Sequence, residues 1–243
     1  MKLSVVIPTY NENENINILI PKIESLLSKK FKNNYEIIVV DDSSPDGTAR
    51  SAKKLSEKYG NINVIVKKKK EGIGAALKVG YNSAKGDLIL STDADLSFDA
   101  KDMERLIAEI KKGYDLVVGS RHLYERDYEK PNLQTKLKGF ISRYGNMMVR
   151  LLSGLNIHDF SANFRVIRKG VWHKLKTTDN TNSILLEMIL KTKYKGYRVT
   201  EIPVQFKDRI YGVSKLNLAK ESPKFFVKLV FYVLKYRILR LDD

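Results

Sequence analysis

The chain has 243 residues, 43% of them hydrophobic, with 44 lysines and arginines against 28 acidic residues and a formal net charge of +16. That length suits one large α/β domain, or a domain with an appendage. The absence of cysteine excludes disulfides, thiolate nucleophiles and thiolate metal sites, and the charge points to an anionic partner: nucleic acid, phosphorylated small molecules or an anionic membrane.

Met1-Lys2-Leu3-Ser4-Val5 leads straight into a strand and is not a signal peptide. No run approaches the ~20 apolar residues of a membrane span, so a soluble or peripheral protein on the cytoplasmic side is expected. Leu3 to Ile7 is a short apolar strand stopped by Pro8. A polar loop follows, and then a helix to about Lys30 with Ile16, Leu19, Ile20, Ile23 and Leu26 at helical spacing. Tyr35 to Val40 is a continuous apolar run, the pattern of a strand buried on both faces. It ends in Asp41-Asp42, and Ser43 to Thr48 turns into a helix. Ile62 to Val66 is a third strand, Lys67 to Lys70 a basic run, and Gly72-Ile73-Gly74 opens a helix to about Ala84.

Leu88 to Ser91 forms the next apolar strand, with Asp93 and Asp95 beyond its C-terminal end. On an extended backbone the i, i+2 spacing turns both carboxylates to one side. Two anions so placed disfavour each other unless a cation lies between them. An oxygen-seeking ion such as Mg²⁺ or Mn²⁺, itself bridging to phosphate, fits that demand. An acidic turn after a strand is the plain alternative. A helix over Asp99 to Lys112 and a strand over Tyr114 to Val118 complete a regular alternation, which specifies a mostly parallel sheet with helices on both faces. Ligands bind such sheets at the strands' C-terminal edge.

The alternation breaks after Arg121. A helix is expected over Leu133 to Leu152, a strand over Phe164 to Ile167, a helix with Glu187 over Ser183 to Lys193, and a strand over Tyr197 to Phe206. Pro203 makes that last strand an edge or a bulge. Asp208 to Lys215 is a basic loop, and a last amphipathic helix starts at Pro223. The expected division is residues 1–217 as the catalytic domain and 218–243 as a C-terminal helical extension.

Pro8-Thr9-Tyr10-Asn11-Glu12, Val40 through Thr48, Gly86 through Leu96, Gly119-Ser120-Arg121 and Glu201 through Lys215 together resemble glycosyltransferase family 2. Within it they look most like the dolichyl-phosphate (polyprenyl-phosphate) mannosyltransferase branch. The resemblance implies a GT-A nucleotide-binding fold and inverting transfer of a sugar from a nucleotide sugar, GDP-mannose first, to a polyprenyl or dolichyl phosphate. Another donor, UDP-glucose or UDP-N-acetylglucosamine, with a lipid-phosphate or hydroxyl acceptor, is the alternative. It implies that Pro8, Thr9, Tyr10 and Glu12 hold the nucleoside, with Asp41 or Asp42 closing on base or ribose. Asp93 and Asp95 become the Mg²⁺ or Mn²⁺ carboxylates, with Asp95 at the reaction centre. Ser97 stands where the family often has a glutamine, a weaker third metal ligand. Arg121, Arg209 and Lys215 are matched to phosphates, the last two also to catalysis, and Ser142 and Arg143 to the acceptor side. Glu187 is read as a positioning or structural residue. The chain ends without a membrane span, so a membrane surface or a membrane partner subunit is expected, with the final helix lying in the interface or packed on the domain. A purely electrostatic nucleic-acid binder is the reading from another class. No helix-turn-helix, zinc finger or aromatic ribonucleoprotein strand supports it.

Overall fold

The structure, a computed structural model, describes residues 1–123, 133–207 and 218–239, with backbone only for 133–142 and 218–224. The elements are β1 (Leu3–Thr9), α1 (Asn13–Phe31), β2 (Tyr35–Asp41), α2 (Thr48–Tyr59), β3 (Ile62–Val66), α3 (Ile73–Ser83), β4 (Leu88–Ser91), α4 (Asp102–Lys111), β5 (Leu116–Ser120), α5 (Leu133–Ser153), β6 (Arg165–Arg168), α6 (Lys169–Leu175), α7 (Ile184–Tyr194), β7 (Val199–Pro203) and α8 (Leu218–Tyr232), which continues as a π-helical Val233–Ile238. Seven strands form one sheet in the order β3-β2-β1-β4-β6-β5-β7.

The central strands are mostly apolar because both faces are covered. Every residue of β1, β2, β4 and β5 is buried. The amphipathic faces of α1 and α3 close the sheet through Ile16, Ile20, Ile23, Ala76, Leu77 and Tyr81. Each fully buried aliphatic side chain of this kind contributes about 1.5–3 kcal/mol. β1 pairs in parallel with β2 and β4, so Thr9 lies opposite Asp41 and Val6 opposite Ser91. The polar residues after each strand therefore emerge along one edge.

β6 is the exception. It runs antiparallel between β4 and β5, with Ser91 opposite Arg165 and Leu88 opposite Arg168. The start of β6 thus meets the end of β4, and the loop before it is delivered to the same edge. β7 is an edge strand paired only with β5, where its terminal Pro203 interrupts no inner ladder.

Two elements differ from expectation. α6 follows β6 without a break; its one-sided burial of Val171, Trp172 and Leu175 spans too few turns to show a helical period. α8 begins at Leu218 rather than at Pro223, which falls in its second turn. The last helix packs on the domain, one of the two placements expected for it: Leu229, Tyr232, Val233 and Tyr236 are buried in the same apolar cluster as the sheet.

Candidate active site

The ligand edge begins with two carboxylates turned inward. Asp41 accepts hydrogen bonds from the Thr9 hydroxyl (3.1 Å) and from the Ser44 backbone N–H and hydroxyl (2.9 and 2.6 Å). Asp42 accepts from Lys67 Nζ (2.7 Å) and from the backbone N–H groups of Glu71 (3.0 Å) and Gly72 (2.7 Å). Burial alone would raise the Asp42 pKa, but Lys67 and the two N–H donors hold it below the ordinary carboxylate value. The Asp42–Lys67 side chains are both nearly inaccessible, 4% and 6% exposed. Gly72 reaches Asp42 with φ of 91°, a conformation that suits glycine. These two aspartates shape the loop; neither presents an open carboxylate.

Opposite them, the loop after β1 offers the accessible groups. Tyr10 and Glu12 are half-buried, and Lys70 Nζ stands 3.6 Å from the centre of the Tyr10 ring. The Glu12 backbone N–H donates to the Thr48 hydroxyl at 2.9 Å, and the Glu12 carboxylate accepts from Asn15 at 2.6 Å. Pro8 and Thr9 are buried in β1. The loops after β1, β2 and β4 each contain a left-handed residue that is not glycine: Asn11, Ser43 and Leu96, with φ of 54°, 62° and 62°. For leucine this is costly, on the order of 1 kcal/mol, and such strain gathers where a loop must present groups to a ligand.

Leu96 lies between Asp95 and Ser97. Asp95 Oδ1 accepts the Ser97 backbone N–H at 3.1 Å, and Asp93 Oδ1 accepts Asn163 Nδ2 at 2.9 Å. Two buried oxygens of this cluster, Ser97 Oγ and Asn163 Oδ1, have no hydrogen-bond partner among the described residues. Buried polar atoms are seldom left so. No group of three or more histidine, cysteine, aspartate or glutamate side chains is arranged for a metal among the described residues. A divalent ion would therefore rest on two carboxylates and neutral oxygens. That donor set is hard and oxygen-only, and two of its oxygens lack a partner, so it fits Mg²⁺ or Mn²⁺.

Behind Asp93 lies Arg165, fully buried. Its guanidinium donates to the backbone carbonyls of Ala162 and Leu185. Burial pulls its pKa down to about 10, against the opposing influence of Tyr81, Asp159 and Asp93, so it remains a cation at neutral pH. Neither Asn163 nor Arg165 stands out in the sequence. Only the antiparallel pairing of β6 brings them to Asp93.

Arg121, expected to face phosphate, makes a bidentate ion pair with the fully buried Asp159, at 2.7 and 2.9 Å, and donates to the Ser161 hydroxyl at 2.7 Å. Burial would raise the Asp159 pKa, but Arg121 holds it well below the usual carboxylate range. His122 is pushed below its ordinary value by burial; Arg121 and Arg143 act in the same direction and Asp159 against it. Arg143 is exposed on α5. The Ser142 side chain, Arg209 and Lys215 lie outside the described residues. Glu187 is fully buried against Lys191 at 3.1 Å and accepts from the N–H groups of Thr178 and Asp179 at 3.0 Å each; it holds a loop together. Gly74 is pressed against that loop: a Cβ there would meet Thr181 O at 2.3 Å. Its close approach is to protein.

The model of the family described as Glycosyl transferase family 2 matches residues 4–175. The dolichol-phosphate mannosyltransferase of Pyrococcus furiosus is 38% identical over 220 residues, 89% of this chain and 60% of its own length. The chain thus spans about three-fifths of that relative. The polyprenol monophosphomannose synthase of Mycolicibacterium smegmatis is 30% identical over 223 residues, 88% of this chain and 80% of its own. Among solved structures, glucosyl-3-phosphoglycerate synthase from Mycobacterium tuberculosis in complex with Mn²⁺, UDP and phosphoglyceric acid superposes with a TM-score of 0.71 at 16% identity, covering 96% of this chain and 78% of that one. TarS 1–349 of S. aureus in complex with UDP-GlcNAc gives 0.63 at 18% identity, covering 96% and 67%. At such identities these likenesses show the fold, that of the GT-A glycosyltransferases.

Proposed function

The chain belongs to glycosyltransferase family 2, and we propose that it transfers a hexose, mannose from GDP-mannose, onto a dolichyl or polyprenyl phosphate at a membrane surface, with inversion at the anomeric carbon. One observation carries the reading: both curated relatives, similar over nearly nine-tenths of this chain, are named for mannose and a polyprenol or dolichol phosphate.

Tyr10 and Glu12 would face the nucleoside, with Pro8 and Thr9 as the wall beneath. Asp41 and Asp42 would set the loop that closes on base and ribose. Asp93 and Asp95 would hold Mg²⁺ or Mn²⁺ with Ser97; bound there, the ion neutralises charge on the leaving diphosphate. Asp159 orients Arg121 at the rim of that region.

The acceptor decides what else is needed. A phosphate monoester has its second pKa near ~6, so it arrives largely as a dianion. It needs cations that align it with the anomeric carbon, and no general base. Arg143 with Ser142, and Arg209 and Lys215 from the loop after β7, are the groups proposed for it. Glu187, the acid nearest in sequence to that role, is committed to its loop.

A lipid acceptor also needs an apolar approach. α5 exposes Tyr144, Met147 and Leu151, and α8 with its continuation exposes Val227, Phe231 and Ile238. α5 and α8 pack against each other, so these residues belong to neighbouring helices. Lys235 and Arg150 lie near them in sequence. Such a face suits a bilayer interface, apolar side chains inward and cations at headgroups. Among the described residues no helix is long and apolar enough to cross a membrane. The proposed location is the cytoplasmic face, on lipid or on a membrane partner subunit.

The test offers labelled GDP-mannose and UDP-glucose, separately, with Mn²⁺ and liposomes containing dolichyl phosphate. Label entering the lipid from GDP-mannose is expected. Entry from UDP-glucose alone would replace the donor, and entry from neither would overturn the proposal.

A further inference from the structure

We propose that Asn163 Oδ1 is an oxygen ligand of the divalent cation held at Asp93 and Asp95. The inference rests on the metal-dependent reading of that site.

The orientation of the Asn163 side chain follows from its neighbour. An ionised carboxylate only accepts hydrogen bonds, so the amide atom 2.9 Å from Asp93 Oδ1 must be the nitrogen. The carbonyl oxygen is the other arm of the carboxamide anchored on Asp93. It is buried, in a residue 2% exposed, and has no hydrogen-bond partner among the described residues. Such an atom costs stability when left unsatisfied. Yet the amide is held firmly by its other end, so the bare oxygen is fixed in place.

The charge balance favours a neutral ligand at this position. Arg165 is a buried cation whose charge is felt at Asp93, and no third acid completes the cluster among the described residues. A carboxamide adds an oxygen without placing a third anion beside two others. It also does two things at once: Nδ2 keeps Asp93 oriented, and Oδ1 is offered to the ion. Ser97 Oγ, the other unpartnered oxygen, leaves room for a second neutral donor.

The experiment follows Mn²⁺ bound to the full-length protein with GDP, read by electron paramagnetic resonance. The protein is produced with asparagine carrying ¹³C at the side-chain carbonyl. A ¹³C hyperfine coupling of a metal-bound carboxamide is expected in the parent protein, and its loss in Asn163→Leu. Asn163→Leu should also weaken Mn²⁺ by about tenfold, the lower end of what removing a group that supports a metal site costs. Asn163→Asp, which keeps an oxygen but loses the Nδ2 donor, should bind Mn²⁺ more tightly than Asn163→Leu. Melting curves without metal establish that each variant is folded. Mn²⁺ bound without the ¹³C coupling would overturn the inference and leave Asn163 as a support for Asp93, with the transfer proposal intact. No Mn²⁺ binding by the parent protein with GDP would overturn both the inference and the metal reading beneath it.

Discussion

At the ends of β1 and β2, the loop carboxylates direct their acceptor capacity into the protein: Asp41 toward Thr9 and Ser44, Asp42 toward Lys67, Glu71 and Gly72. At the end of β4, the cluster of Asp93, Asp95, Ser97 and Asn163 keeps two buried oxygens without partners. In the first region the two aspartates are satisfied as they stand and stabilise the fold. In the second, the two oxygens are those that the proposed cation would satisfy, and they cost stability without it. Substitutions in the two regions should therefore trade places between stability and activity.

The largest effect is expected from Asp93→Ala or Asp95→Ala. Either should lower transfer by about 10³-fold, as when a transition-state charge partner is removed, while the thermal midpoint without metal moves little. A midpoint falling as far as activity does would end the contrast. Asp42→Ala should do the reverse. It leaves the nearly inaccessible Lys67 with the more exposed Glu71 carboxylate, 3.1 Å away, as its described ion-pair partner, and the loss should cost up to about 3 kcal/mol, measurable by urea unfolding. The same residue fixes a pH dependence. Its folded pKa lies below the ordinary value, so its stabilisation is fully present above about pH 4 and is lost as pH falls through the folded pKa. The acid limb of the stability curve should flatten in Asp42→Ala, and an unchanged limb would remove Asp42 from the account.

Gly74→Ala tests the packing between the regions. Its Cβ would collide with the backbone of Asn180 and Thr181, and overpacking of this kind costs about 2 kcal/mol. A neutral substitution would mean that the 177–183 loop yields freely. The smallest effect is expected from Ser97→Ala. Its hydroxyl makes no hydrogen bond, so removal should leave stability within ~0.5 kcal/mol or raise it slightly. Mn²⁺ affinity should fall, and a clear loss of stability would mean that the hydroxyl has a structural partner.

The sheet and its ligand edge were legible because buried parallel strands are written as unbroken apolar runs closed by polar loops. Val39-Val40-Asp41-Asp42 and Leu90-Ser91-Thr92-Asp93 both read that way. Strand position and direction were less accessible. Nothing local in Phe164-Arg165-Val166-Ile167 says that it runs antiparallel beside β4. Asn163 and Asp93, 70 residues apart, could not be joined from periodicity. The same gap hid Asp159, which pairs with Arg121. A cation's partner is set by tertiary placement, and motif spacing does not report it.

Asp179 gives the last helix a consequence for handling the protein. Its carboxylate, 2% exposed, accepts from Lys228 (2.6 Å) and Tyr232 (2.7 Å) on α8 and from the N–H and hydroxyl of Thr181 (2.7 Å each). Trimming the chain before residue 228 to discard its oily tail would strip that acid of two donors and lay bare the apolar side of α7. The shortened form would expose new greasy surface in place of the old. Better behaviour in solution is to be sought on the outward face of the helix, by replacing Val227 or Phe231 with polar residues and leaving Leu229, Tyr232 and Tyr236 in place.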